Sequence, residues 1–183
     1  MDSNCKPSVR PLYAWEIHEA RRVFGSSLRY ERVRIHENVT WPNTLNRIGT
    51  RLKGMPYTEV QNAITLSNHC YFPVKLLEAP VPANHPEHYK IGWLIHELTH
   101  AWQYQHLGWS YLRKALQTQL REKAQAYDFG GEAGLLRCQS DGWCLADFNL
   151  EQQGDITRSY YNQLVRGGDI GAWRPYIDEI QAA

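Results

Sequence analysis

The apolar positions of this chain follow two periods, one of helices and one of strands. Between Tyr13 and Phe24 they fall at Tyr13, Ile17, Ala20 and Phe24, a helical spacing, and Gly25 follows as a stop. Arg32 to His36 (RVRIH) alternates instead, as a half-buried strand does. Trp41-Pro42-Asn43 reads as a turn. Ala63 to Phe72 (AITLSNHCYF) places Ile64 and Leu66 on one face, and its Ser67-Asn68-His69 centre suits a hairpin turn. Residues 79–88 are loop punctuated by proline, with Pro86 well placed in the first turn of the next helix.

That helix, from about Glu87 to His106, carries two stripes. Ile91, Leu94, Ile95, Leu98 and Trp102 form an apolar one that should face the core. Trp93, His96, His100 and Gln103 form a polar and aromatic one, with Tyr89 at its start. A further helix is predicted over Ser110 to Ala126, and the Gly/Ser/Asp-rich stretch 130–142 reads as loop. With Ser140 or Asp141 as cap, the chain reads as helical to about Leu164. Gly167, Gly168 and Gly171 then break it before a short C-terminal helix with Trp173 and Tyr176. Residues 1–11 have no period and read as a flexible lead-in, leaving 12–183 as a single domain. Helices dominate and a small sheet is encoded in the first half, which is an α+β class.

Composition narrows the function. In 183 residues, 20 Lys and Arg face 19 Asp and Glu, a net charge of +1, whereas nucleic-acid binders usually carry a basic surplus. Residues 1–60 have a local excess of +4, spread over several elements as a solvated face. No run reaches the roughly 18 apolar residues of a membrane span. The first 15 residues lack the apolar core of a signal peptide, so a cytoplasmic location in the producing cell is expected. The four cysteines are scattered and read as free or buried thiols, although Cys138 and Cys144 are close enough to bridge in an oxidising compartment. The 7 Trp, 11 Tyr and 8 His are costly to place and hint at a cleft.

The chemistry is concentrated in His96-Glu97-Leu98-Thr99-His100. Positions i and i+4 share a helix face, so both imidazoles can reach one metal ion, and zinc is the expected one. Glu97, beside the first ligand, is placed as general base. With 8 His and 12 Glu, chance would give about 0.02 such strings per chain. A catalytic zinc needs a third protein ligand. Glu151 in FNLEQQGD is the best candidate, and Asp155, four residues on, could accept the free N–H of a ligand histidine. His106, Glu132 and Asp147 compete, although His106 misses the long-spaced HExxHxxGxxH pattern because Gln103 stands where that pattern has Gly.

The HELTHAWQYQ string with a downstream Glu resembles the gluzincin branch of the zincin metallopeptidases. The wider order is similar to metallopeptidase domains associated with type VI secretion spike (Vgr-related) proteins and contractile injection systems. It runs from VFG at 23–25 and RVRIH at 32–36, through AITLSNHCYFP and WLIHELTHAWQ, to FNLEQQGDI. The likeness spans roughly 12–165, and Leu150 stands where thermolysin-like enzymes carry Asn before the ligand Glu. It implies a zincin-like fold with a small sheet packed on the HExxH helix. It further implies zinc on His96, His100 and Glu151, with Glu97 as base.

The implied activity is peptide hydrolysis, with an edge strand near Ala63–Leu66 pairing with substrate backbone. An oxyanion donor is expected among Tyr127, Tyr160, Tyr161, His36 and His69. The implied partners are a peptide or protein substrate and a secretion-spike or immunity protein. The implied route is export by a non-Sec machine into a target-cell periplasm, as an antibacterial effector. Two other classes stand beside the peptidase: a non-catalytic zincin-fold adaptor of a secretion machine, and a zinc amidase acting on cell-wall peptides.

Overall fold

The computed structural model describes residues 6–41, 62–122 and 129–183, with 110–122 described as backbone. Its elements run β1 (Ser8–Arg10), α1 (Ala14–Phe24), β2 (Arg34–Glu37), β3 (Ile64–Leu66), β4 (His69–Tyr71), α2 (Tyr89–Glu122), α3 (Gly131–Ser140), α4 (Leu150–Val165) and α5 (Arg174–Ala182). Single 3-10 turns at Tyr30–Arg32, Pro86–His88 and Leu145–Asp147 join them. The sheet order is β1-β2-β4-β3, antiparallel except for the parallel β2–β4 pair.

The predicted hairpin is present, with Ile64 opposite Tyr71 and Leu66 opposite His69. Its turn holds Ser67 at a φ of 55°. β3 lies at the sheet's edge. Alternation along β3 and β4 sends Thr65 and Cys70 to the same face, and both touch Glu97 of α2.

Helix α2 lies between this sheet and α4. Its predicted apolar stripe is buried in full, from Ile91 to Trp102. α4 runs antiparallel along it: Gly92 lies against Asn162, Thr99 bonds Thr157 at 2.7 Å, and Gln103 bonds Gln153 at 2.9 Å. α1 and α5 close the core through Ala20, Val23, Phe24, Ile177 and Ile180, all buried.

Three expectations are corrected. The lead-in does not extend to Ser8–Arg10, which pairs with β2. Arg10 enters the interior there, bonded to Glu16 at 2.7 and 2.8 Å and to Glu37 at 3.0 and 3.1 Å. The helix reaching His106 and the one predicted from Ser110 are both present, and the break between them falls at Gly108, whose φ of 70° interrupts the helical path within a single residue. The predicted loop 130–142 is largely helix α3, because its Leu135 is fully buried and packing overrides the weak propensity of Gly and Ser. Gly134 makes this possible, since a Cβ there would lie 2.1 Å from the Phe129 carbonyl oxygen.

The long helix predicted from Ser140 begins only at Leu150. Asn149 is its cap, accepting from the Gln152 N–H at 2.9 Å while Gln152 accepts from the Asn149 N–H at 3.1 Å. This reciprocal cap puts Glu151 in the first turn of α4, where the helix dipole favours a carboxylate. The second half of the Trp41–Asn43 turn and residues 123–126 of the second predicted helix lie outside the described residues.

Candidate metal centre

Helix geometry places His96 and His100 one turn apart, and their Nε2 atoms lie 3.2 Å from each other. The first turn of α4 brings Glu151 across to them. Its Oε2 is 3.4 Å from His96 Nε2 and its Oε1 is 3.6 Å from His100 Nε2. Donors held at about 2.0–2.1 Å from a tetrahedral zinc stand about 3.3–3.4 Å apart, which is the scale of this triangle. Among the described residues this is the one group of three His, Cys, Asp or Glu side chains spaced for a metal ion.

The outer nitrogens decide the tautomers. His100 Nδ1 lies 2.8 Å from Gln103 Oε1, an atom that can only accept, so it carries the proton. His96 Nδ1 lies 2.9 Å from Asp155 Oδ1, set obliquely to it, and Asp155 is held in turn by Arg158 at 2.8 Å. With protons on both Nδ1 atoms, two Nε2 lone pairs and a carboxylate face one point. Such an arrangement repels itself unless a cation or an added proton sits there, so the donor set fits a divalent metal. The charge balance agrees. Burial works against a charged His96, but Asp155 and Glu151 outweigh it and pull its pKa up to about 9. Burial likewise opposes charge on His100, which Glu151 then shifts upward. Burial would raise the Glu151 pKa, and the two imidazoles pull it far below the usual carboxylate range.

Glu97 is buried on the sheet-facing side of α2. The Thr65 hydroxyl donates to its Oε2 at 2.7 Å and lies 3.2 Å from its carbonyl oxygen. The edge strand is thus latched to the residue beside the first histidine. Gly154 of α4 faces the His96 ring so closely that a Cβ would come within 2.8–3.0 Å of three ring atoms. Sequence reasoning missed Thr65, Gln153 and Gly154. Only Gly154 left a signal, as a glycine inside a helical stretch with no turn to explain it.

The other predicted residues lie elsewhere. His106 Nδ1 donates to the Trp102 carbonyl at 2.8 Å, Glu132 is exposed on α3, and exposed Asp147 accepts from the Cys144 N–H at 2.8 Å. Tyr160 and Tyr161 are buried, with their hydroxyls on Arg174 and Glu19. His36 and His69 bond each other at 2.8 Å on the sheet face turned away from α2. Tyr127 lies outside the described residues. Trp93 packs edge-on against buried Phe72, while Tyr89 is exposed at the start of α2. Cys138 and Cys144 are free thiols.

No family model matches the chain. It is 31% identical over 165 residues to the type VI secretion system spike protein VgrG2b of Pseudomonas aeruginosa, a match covering 89% of the chain. The chain spans only 14% of the length of that relative. Among solved structures it resembles the effector domain of Pseudomonas aeruginosa VgrG2b, with a TM-score of 0.53 and 28% identity, over 94% of this chain and 82% of that one. Sequence and fold therefore agree that the chain is homologous to the VgrG2b effector domain, a relationship that links it to type VI secretion.

Proposed function

We propose that this chain is a zinc-dependent metallopeptidase acting as a type VI secretion effector. The observation that carries the reading is the triangle of His96, His100 and Glu151, with both outer imidazole nitrogens facing acceptors and Glu97 one residue from the first ligand. Zinc held there would polarise the attacking water and the scissile carbonyl. The protein's own part is proton handling and alignment. Glu97, steadied at Oε2 by Thr65, takes a proton from the attacking water through its other oxygen. As the water oxygen bonds the carbonyl carbon and the C–N bond breaks, Glu97 returns that proton to the departing amine. Edge strand β3 lies beside Glu97 and would align an extended peptide as an added strand. The substrate is a peptide or protein, and the homology points to a secretion spike as the partner that carries the domain.

Two measurements test this. Mass spectrometry of protein purified without chelators should find about one zinc per chain. Glu97→Gln should keep that zinc and lose cleavage of an unfolded protein substrate. Less than half an equivalent, with no gain on adding zinc, would overturn the metal reading. Undiminished cleavage by the variant would remove Glu97 from the mechanism. Metal-independent capture of a secretion component without cleavage would favour an adaptor, and cleavage confined to cell-wall peptides would favour an amidase.

A further inference from the structure

Gln103 lies three residues beyond the second histidine and is fully buried. Its partners account for every donor it has. One amide hydrogen goes to the Leu150 carbonyl at 3.0 Å and the other to Gln153 Oε1 at 2.9 Å. Gln153 is itself fixed, because its two amide hydrogens go to the carbonyls of Leu145 at 3.1 Å and Phe148 at 2.9 Å. Backbone carbonyls cannot donate, so both amides have one permitted orientation. The Gln103 oxygen must then face His100 Nδ1, at 2.8 Å. The same side chain thus holds His100 on α2 and the backbone of the residue preceding Glu151 on α4.

We propose that Gln103, oriented by Gln153, is the positioning residue of the metal centre. It fixes His100 as the Nδ1–H tautomer, and it sets the distance between His100 and Glu151 by bridging α2 to the first turn of α4. This rests on the zinc reading above. Asp155 performs the corresponding task for His96 alone, whereas Gln103 spans two ligands on two helices. The role needs an amide: an acceptor for the imidazole and two donors for the facing helix, in one group.

The test measures zinc affinity by competition with a chromophoric chelator, alongside the melting temperature of the metal-free protein. Gln103→Met keeps the length but removes acceptor and donors, and should weaken zinc binding about 10–100-fold, the usual loss when a partner of a ligand histidine is removed. Gln153→Met, which leaves the His100 contact in place, should weaken it less. Lower melting temperatures with zinc affinity unchanged in both variants would mean a purely structural role and overturn the proposal. Failure of the unaltered protein to bind zinc would instead overturn the zinc reading. A second measurement needs no variant: long-range proton–nitrogen NMR of the zinc-loaded protein should show His100 protonated at Nδ1. Protonation at Nε2 would overturn the proposal even if both variants failed to fold.

Discussion

Gly154 is the residue where the fit of the two central helices is tightest at the site. A methyl group there would meet His96 Cε1, Nδ1 and Nε2 at 2.8–3.0 Å, and the ring has no slack between Asp155 and the triad. Gly154→Ala therefore separates two effects of opposite sign. Alanine gains about 1 kcal/mol of helix propensity, while the displaced imidazole loses its metal geometry. The expected outcome is a metal-free melting temperature close to that of the parent with zinc binding weakened about tenfold or more. Chelator competition and a thermal melt check it, and unchanged zinc affinity would mean that α4 can shift at no cost. The residue types at the centre were legible from the chain, since an HExxH string fixes its own geometry once it is helical. Gly154 was not, because the contact that requires it comes from another helix.

Among the elements, β1 is the least expected and the most exactingly anchored. Its Arg10 side chain is 11% exposed, Glu16 is 0% and Glu37 is 4%, so the cluster is one buried cation between two buried anions. Glu16 also accepts the Tyr13 N–H at 2.7 Å at the start of α1, and Glu37 accepts the Leu76 N–H at 3.2 Å. Removing the cation leaves two buried carboxylates with hydrogen-bond donors but no positive charge to balance them. Arg10→Met should cost about 3–5 kcal/mol in urea unfolding, and adding Glu16→Gln and Glu37→Gln should recover much of it. A loss below about 1 kcal/mol would show that water reaches the carboxylates freely. A three-residue strand with two exposed positions has no period to detect, and only its pairing with β2 and the Arg10 ion pairs define it. By contrast, α1, the hairpin and the part of α2 before Gly108 were legible within a residue or two, because each buries a face long enough to leave a pattern. α3 was hidden by its glycines and by its dependence on one buried leucine.

At the scale of the molecule, the sheet, α2 and α4 form three layers, and the candidate ligands come from the two helical ones. Zinc would bind only the folded chain, since Glu151 lies 51 positions beyond His100. Metal removal should therefore lower stability by mass action, about 2.7 kcal/mol where free zinc had been a hundredfold above its dissociation constant. For a chain of this length that is a fall of roughly 5–10 °C in melting temperature, reversed by added zinc and absent in His96→Ala. A melt indifferent to chelator and zinc would contradict it. Among the described residues no helix is long and apolar enough to cross a membrane. The chain alone determined the α+β class, the helix bearing HELTH and its two-sided character, because these depend on local period and spacing. It nominated Glu151 from the ligand count and the family resemblance, and Asp155 from its four-residue spacing to Glu151. Tertiary structure decided that Glu151 meets both imidazoles, that Asp155 and Gln103 settle their tautomers, and that Thr65 reaches Glu97. Each of those contacts joins segments more than 30 residues apart or depends on one that does, and no periodicity records the packing of one helix on another.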